Sequence, residues 1–123
     1  MAKTRELRKL IMTQLKTISG GTYHRLAPKD ATYPYKTFRL TNVSFTDARD
    51  DFELEVDIWD RSADLKQAED LADDVEALFA CANLPSPPIF PTFFREGRMT
   101  LEDPDKSLQH IQLRFSVQLY EEE

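Results

Sequence analysis

The sequence predicts an α+β domain, a mainly antiparallel sheet of four to five strands with two helices packed on one face. Three observations lead there. Apolar residues recur at three- and four-residue steps in two separate segments, as in one-sided helices. Two other regions alternate apolar and polar residues about a polar break, as hairpins do. The order is helix, two or three strands, helix, two strands, and an antiparallel sheet tolerates one wet face while helices cover the other.

The first helix is expected over residues 4–18, with Leu7, Leu10, Ile11, Leu15 and Ile18 on one side. Thr4 can cap its start, and Gly20-Gly21 ends it. "TYHRLA" (22–27) is a short candidate strand, and "PKDATYP" (28–34) is turn-like. "YKTFRLTNVSF" (35–45) is rich in strand formers, with Phe38 and Leu40 on one face. After a polar tip, "FELEVDIWDRS" (52–62) returns, so residues 35–60 read as a long hairpin. The second helix is expected over 62–82, with Leu65, Ala68, Leu71, Ala72, Val75, Leu78 and Phe79 buried. Asp60 or Ser62 can cap it, and Asn83 sits where a left-handed C′ residue belongs. "LPSPPIFP" is expected to be a stiff extended connector. Strands over 92–102 and 108–120, joined by the turn "DPDKS", close the fold. In the last strand Ile111, Leu113, Phe115, Val117 and Leu119 face one way, and His110, Gln112, Arg114, Ser116 and Gln118 the other.

A chain of 123 residues is enough for one compact domain spanning 1–123 and too short for two. Its 31% charged and 41% hydrophobic residues are ordinary globular values. The single cysteine, Cys81, cannot form an internal disulfide, and with only His24 and His110 it does not make a structural zinc site. It is expected to pack under the proline stretch or to be partly exposed. "SGGT" lacks the Lys-Ser/Thr of a phosphate loop. The N-terminal stretch is charged throughout, unlike a signal peptide, and no window has the apolar length of a membrane span. A net charge of −6 disfavours gripping nucleic-acid phosphates. No catalytic residue, cofactor site or metal site is signalled.

One stretch is unusual. On the non-core side of "FELEVDIWDRS" stand Glu53, Glu55 and Asp57, and then Trp59. The order "YPYKTFRL", hairpin, "FELEVDIWDRSADLKQAEDLADDVEALF", proline loop and "LEDPDKSLQHIQLRFSVQLY" resembles the tail-completion (tail-terminator, tail-to-head joining) proteins of long-tailed phages and prophages. The resemblance covers nearly the whole chain and rests on the "DIWDRS" junction and the segment order. It implies a non-enzymatic virion subunit, made in the host cytoplasm and placed at the head-proximal end of the tail. Such subunits form a homo-oligomeric ring, typically a hexamer, although the free chain can be monomeric. The ring caps the tube, meets the tube protein and the head connector, and lets DNA pass without specific binding. The alternatives are another neck adaptor, such as a head-completion protein, or a small enzyme using the open sheet face.

Under that resemblance several residues are candidates for subunit or partner contact. Glu53, Glu55 and Asp57 are either a solvated face or a negative lumen that repels phosphate. Trp59 is either folded over the sheet edge against its own helix or an interface anchor. Phe90 and Phe93 belong to an apolar run, Ile89 to Phe94, too rich for so small a core, so some of it should be covered by a neighbour. Arg5 and Arg8 lie in a basic first helix while the second is acidic. The two helices either attract within one chain or meet head to tail between copies. The tip 44–51, with Asp47, Arg49 and Asp50, is expected to be a mobile docking loop.

Overall fold

Leu7, Ile11 and Leu15 stand four residues apart, so a helix through them has one continuous apolar stripe, and all three are fully buried. The computed structural model, which describes residues 3–46, 49–80 and 82–121, forms that helix as α1 (Lys3–Leu15). α1 stops three residues before the expected end. The chain then turns to Gly20, whose φ of +89° lies in the left-handed region. A Cβ there would come 2.8 Å from the Pro34 carbonyl oxygen, so only glycine fits the turn.

The remaining elements are β1 (Gly21–His24), β2 (Tyr35–Phe45), β3 (Arg49–Arg61), α2 (Lys66–Phe79), β4 (Ala82–Asn83), β5 (Ile89–Leu101) and β6 (Leu108–Glu121). They build one six-stranded sheet in the order β1-β2-β3-β6-β5-β4. The expected four to five strands are therefore six, and the sheet is mixed. β1 runs parallel to β2 and the other neighbours are antiparallel. The two extra ribbons are short segments, and β4 pairs only Ala82 and Asn83 with β5.

The register of β3 on β6 sets the two faces. Phe52, Leu54, Val56 and Ile58 stand opposite Val117, Phe115, Leu113 and Ile111, and all eight are buried. Period-two alternation sends every intervening residue to the other side. Both helices cover the apolar face. α2 packs on β3, β5 and β6, whereas α1 packs on β1, β5 and α2. β1 and β5 are far apart in the sheet order, so touching the same helix means that the sheet curls around α1.

Three local expectations need correction. α2 begins at Lys66, four residues late, after Leu65 in the N-cap position with no side-chain cap. Asp60 cannot cap it, because it lies inside β3 on the helix side and is 2% exposed. Asp64 instead accepts the Lys66 N–H through Oδ1 at 3.0 Å. Asn83 is a strand residue, and the helix ends at Phe79 with Ala80 already extended. The proline connector gives way to β5 at Ile89, because Ile89 and Phe93 are drawn into the core.

Candidate interaction surface

The uncovered face carries Glu53, Glu55, Asp57 and Trp59 on β3 opposite Ser116, Arg114, Gln112 and His110 on β6. It is not a bare acidic stripe. Glu53 Oε1 accepts from Arg114 Nη2 at 2.6 Å and Nε at 2.7 Å. Asp57 Oδ1 lies 2.7 Å from His110 Nε2 and accepts from Gln112 Nε2 at 3.3 Å. At the tip end, Arg49 donates to Asp51 Oδ2 at 3.2 Å, and Ser44 donates to the same oxygen. Each cross-strand pair, Glu53 with Arg114 and Asp57 with His110, contributes only about 0.2–1 kcal/mol, yet together with the Arg49–Asp51 contact along β3 they fix side chains that would otherwise point freely into water. Glu55 makes no ion pair among the described residues, although Arg39 and Arg114 are its register neighbours. On the expected negative face, Glu53 is therefore neutralised by Arg114, Asp57 is tied by hydrogen bonds to His110 and Gln112, and Glu55 keeps its charge between two arginines.

Trp59 does not fold over an edge against α2, because β3 is an interior strand. Its ring stacks on His110 with centroids 3.6 Å apart and planes 17° from parallel. Tyr35 lies 6.5 Å from it, and Tyr23 and Tyr33 both pack on Tyr35. An aromatic band thus crosses this face near the start of α2. Arg61 closes its end over the Tyr33 ring and donates to Asp105 Oδ2 at 2.8 Å. Hydrogen bonds from Arg61 and Ser107 hold the Asp105 carboxyl down at about 2. Beside the band runs an open groove of about 420 Å³ that includes Trp59, Tyr35, Asp57, Glu55 and Arg39.

The other sequence-predicted residues separate. Phe93 is fully buried and packs on Phe79 at 4.9 Å, so its assignment to a subunit interface is corrected: its own core consumes it. Phe90 is 38% exposed and lies beside Tyr120 in an apolar groove of about 360 Å³. Arg49 and Asp50 belong to β3 rather than to a loop, and Asp50 turns to the helix side, where it pairs with Lys3. Phe45, at the end of β2, is 76% exposed. Asp47 and Cys81 lie outside the described residues. Within α2, Glu76 pairs with Arg95 and Arg98, and Asp73 with Arg98. These acids are answered by β5, not by α1.

The profile of the family described as "Tail completion protein gp17" matches residues 5–120. The chain belongs to that family. It is a structural phage tail-completion subunit. No curated protein matches the chain. Among solved structures it is similar to a chain of the "Virion of native gene transfer agent (GTA) particle", with a TM-score of 0.74 and 12% identity. That likeness covers 89% of this chain and 91% of the other, and at such identity it is a likeness of fold.

Two features of the tail-completion subunit escaped the sequence reading. Lys36 is fully buried on the helix side of β2, and its amine donates to the carbonyls of Ser19 at 2.9 Å, Gly20 at 3.1 Å and Ile18 at 3.4 Å. Burial pushes this amine down to about 8. The signal was present, because Lys36 shares the register of Phe38 and Leu40. The second feature is a cluster of Arg8, Arg25 and Arg39 about His24, which sequence distance conceals. Burial, then Arg8 and Arg25, hold the imidazole below its usual value. Among the described residues no group of three His, Cys, Asp or Glu could hold a metal, and no helix is long and apolar enough to cross a membrane.

Proposed function

We propose that the chain is a non-enzymatic subunit of a ring, typically hexameric, at the head-proximal end of a phage-like tail. The ring stops tube growth, presents a docking surface to the head connector, and lets DNA through. The observation that carries this reading is the one-sided sheet: α1 and α2 seal one face, and the other is a wide ordered surface whose groove is open. A surface whose side chains are already tied to one another loses little entropy on contact and suits repeated, rigid neighbours. The half-buried Trp59 and the exposed Phe45 and Phe90 fit the same use. Trp59 is held flat, and Phe90 and Phe45 stand at the opposite end of the sheet, as anchors that a neighbouring copy, the tube protein or the connector would cover. The histidine–carboxylate pair of His110 with Asp57 is spent on holding that stack.

As a lumen wall, this face would carry Glu53 held by Arg114 and Asp57 held by His110, with a net negative chain behind them. Glu53, Glu55 and Asp57 stand among the cations of this face, and the net negative chain behind them repels phosphate, so DNA slides without sequence-specific grip. Reconstruction of the head–tail junction by electron cryomicroscopy tests the proposal. It should show a closed ring of this fold between tube and connector. The same fold found only elsewhere in the particle would refute it.

A further inference from the structure

We infer that the groove formed by Arg8, Arg25 and Arg39 is the socket for the acidic outer face of α2 from a second copy of this chain. The inference rests on the ring reading and names one of its contacts. Two neighbouring grooves, of about 230 and 310 Å³, share Arg8 and His24 and run along α1 beside β1. The first is lined by three guanidinium groups and no carboxylate among the described residues, in a chain whose net charge is −6. Arg5, Arg8, Arg25 and Arg39 make no ion pair among the described residues, whereas Arg49, Arg61, Arg95, Arg98 and Arg114 all do. Glu55 stands opposite Arg39 on the sheet but makes no ion pair with it among the described residues; like charges crowded together cost free energy, and the cost is relieved when an anion enters the groove. Arg25 is held there by its backbone. Its φ of 74° is left-handed, a strained setting for arginine, and its N–H is fixed to the Phe38 carbonyl at 2.9 Å.

The same chain carries the complementary surface. Glu69, Asp70 and Asp74 are exposed on α2 and make no ion pair among the described residues, because the β5 arginines serve only Asp73 and Glu76. Asp70 and Asp74 are one helical turn apart, so they present about 6 Å of one acidic row. Within the chain no ion pair joins this row to the groove. Two unlike surfaces on one chain that satisfy each other only between copies make a head-to-tail contact, which closes into a ring when the rotation per copy allows it. The apolar wall supplied by Met12 and Leu40 sets depth, and the charges set register.

The test uses two charge-reversed chains, Arg25→Glu with Arg39→Glu, and Asp70→Lys with Asp74→Lys, added to growing tubes of the particle's own tube protein. Circular dichroism and melting confirm that each is folded. Each alone should need roughly tenfold more protein than wild type to stop tube growth, since two attractive pairs become repulsive. Mixed in equal amounts they should recover, because alternating copies restore every contact in an even-numbered ring. Sedimentation of the free chains at high concentration should show the same pattern of association, independent of any tube. If wild type leaves tube length unchanged, the tail-completion reading fails. If wild type stops tubes and either variant does so equally, this contact fails. A mixture no better than its parts also overturns it and assigns the groove to another anionic partner, with retarded DNA marking nucleic acid as that partner.

Discussion

Replacing Lys36 with methionine separates the cost of burying a charge from the benefit of its hydrogen bonds. The amine is fully enclosed and ties the turn after α1, at Ile18 to Gly20, to β2. Its proton affinity falls from the ordinary 10.5 to about 8 in the folded chain because burial disfavours the charged form. Below pH 8 both folded and unfolded chains hold the proton, so the folded state bears the full cost. Between about 8 and 10.5 the unfolded chain keeps the proton and the folded one has lost it, so stability rises with pH. Above 10.5 the two no longer differ. At about 1.4 kcal/mol per tenfold change in proton affinity, the rise amounts to about 3 kcal/mol. Methionine has a similar length and does not titrate. Urea unfolding of wild type and Lys36→Met at half-unit steps from pH 7.5 to 10.5 reads the effect, and groups common to both cancel in the difference. The wild-type-minus-variant stability should climb by up to about 3 kcal/mol across that range. Parallel curves would refute the claim that a charged amine is buried against the turn after α1.

Three further outcomes follow from the packing and the open face. Phe93→Ala should lower unfolding free energy by about 3–5 kcal/mol, and Phe90→Ala should stay within about 0.5 kcal/mol of wild type in urea melts, because only Phe93 is core. His110→Ala removes the plate under Trp59, the chain's one tryptophan, so its fluorescence emission should move to longer wavelength while the melting temperature changes little. Asp105→Asn should narrow its difference from wild type as acid is added. The Asp105 carboxyl is held down at about 2, so its stabilising effect is present above pH 4 and is lost as pH falls through 2, which melts at pH 5 and pH 2 would show.

Much of this architecture was readable because it depends on period. The strict alternation of β3 and β6 placed Glu53, Asp57, Trp59 and His110 on one face, and the structure joins them there. Leu7, Ile11 and Leu15 announced α1, and the stripe from Ala68 to Phe79 announced α2. What failed depends on tertiary context. A two-residue strand such as β4 has no period, and it forms because β5 offers an edge. Ile89 and Phe93 looked surplus because the curl of the sheet around α1, which enlarges the core, leaves no mark in the sequence. Asp60 resembled a cap because burial of a carboxylate on the helix side of β3 is a product of register, not of local preference. The cationic groove draws on Arg8 of α1, Arg39 of β2 and Arg25 just after β1, which meet only through the parallel pairing of β1 with β2 and the seat of α1.

The length distribution of tails from cells making the particle without this chain tests the central claim most directly. Overlong tubes or tails lacking heads are expected, restored to normal length when the chain is supplied. Complete particles with tails of ordinary length would contradict it.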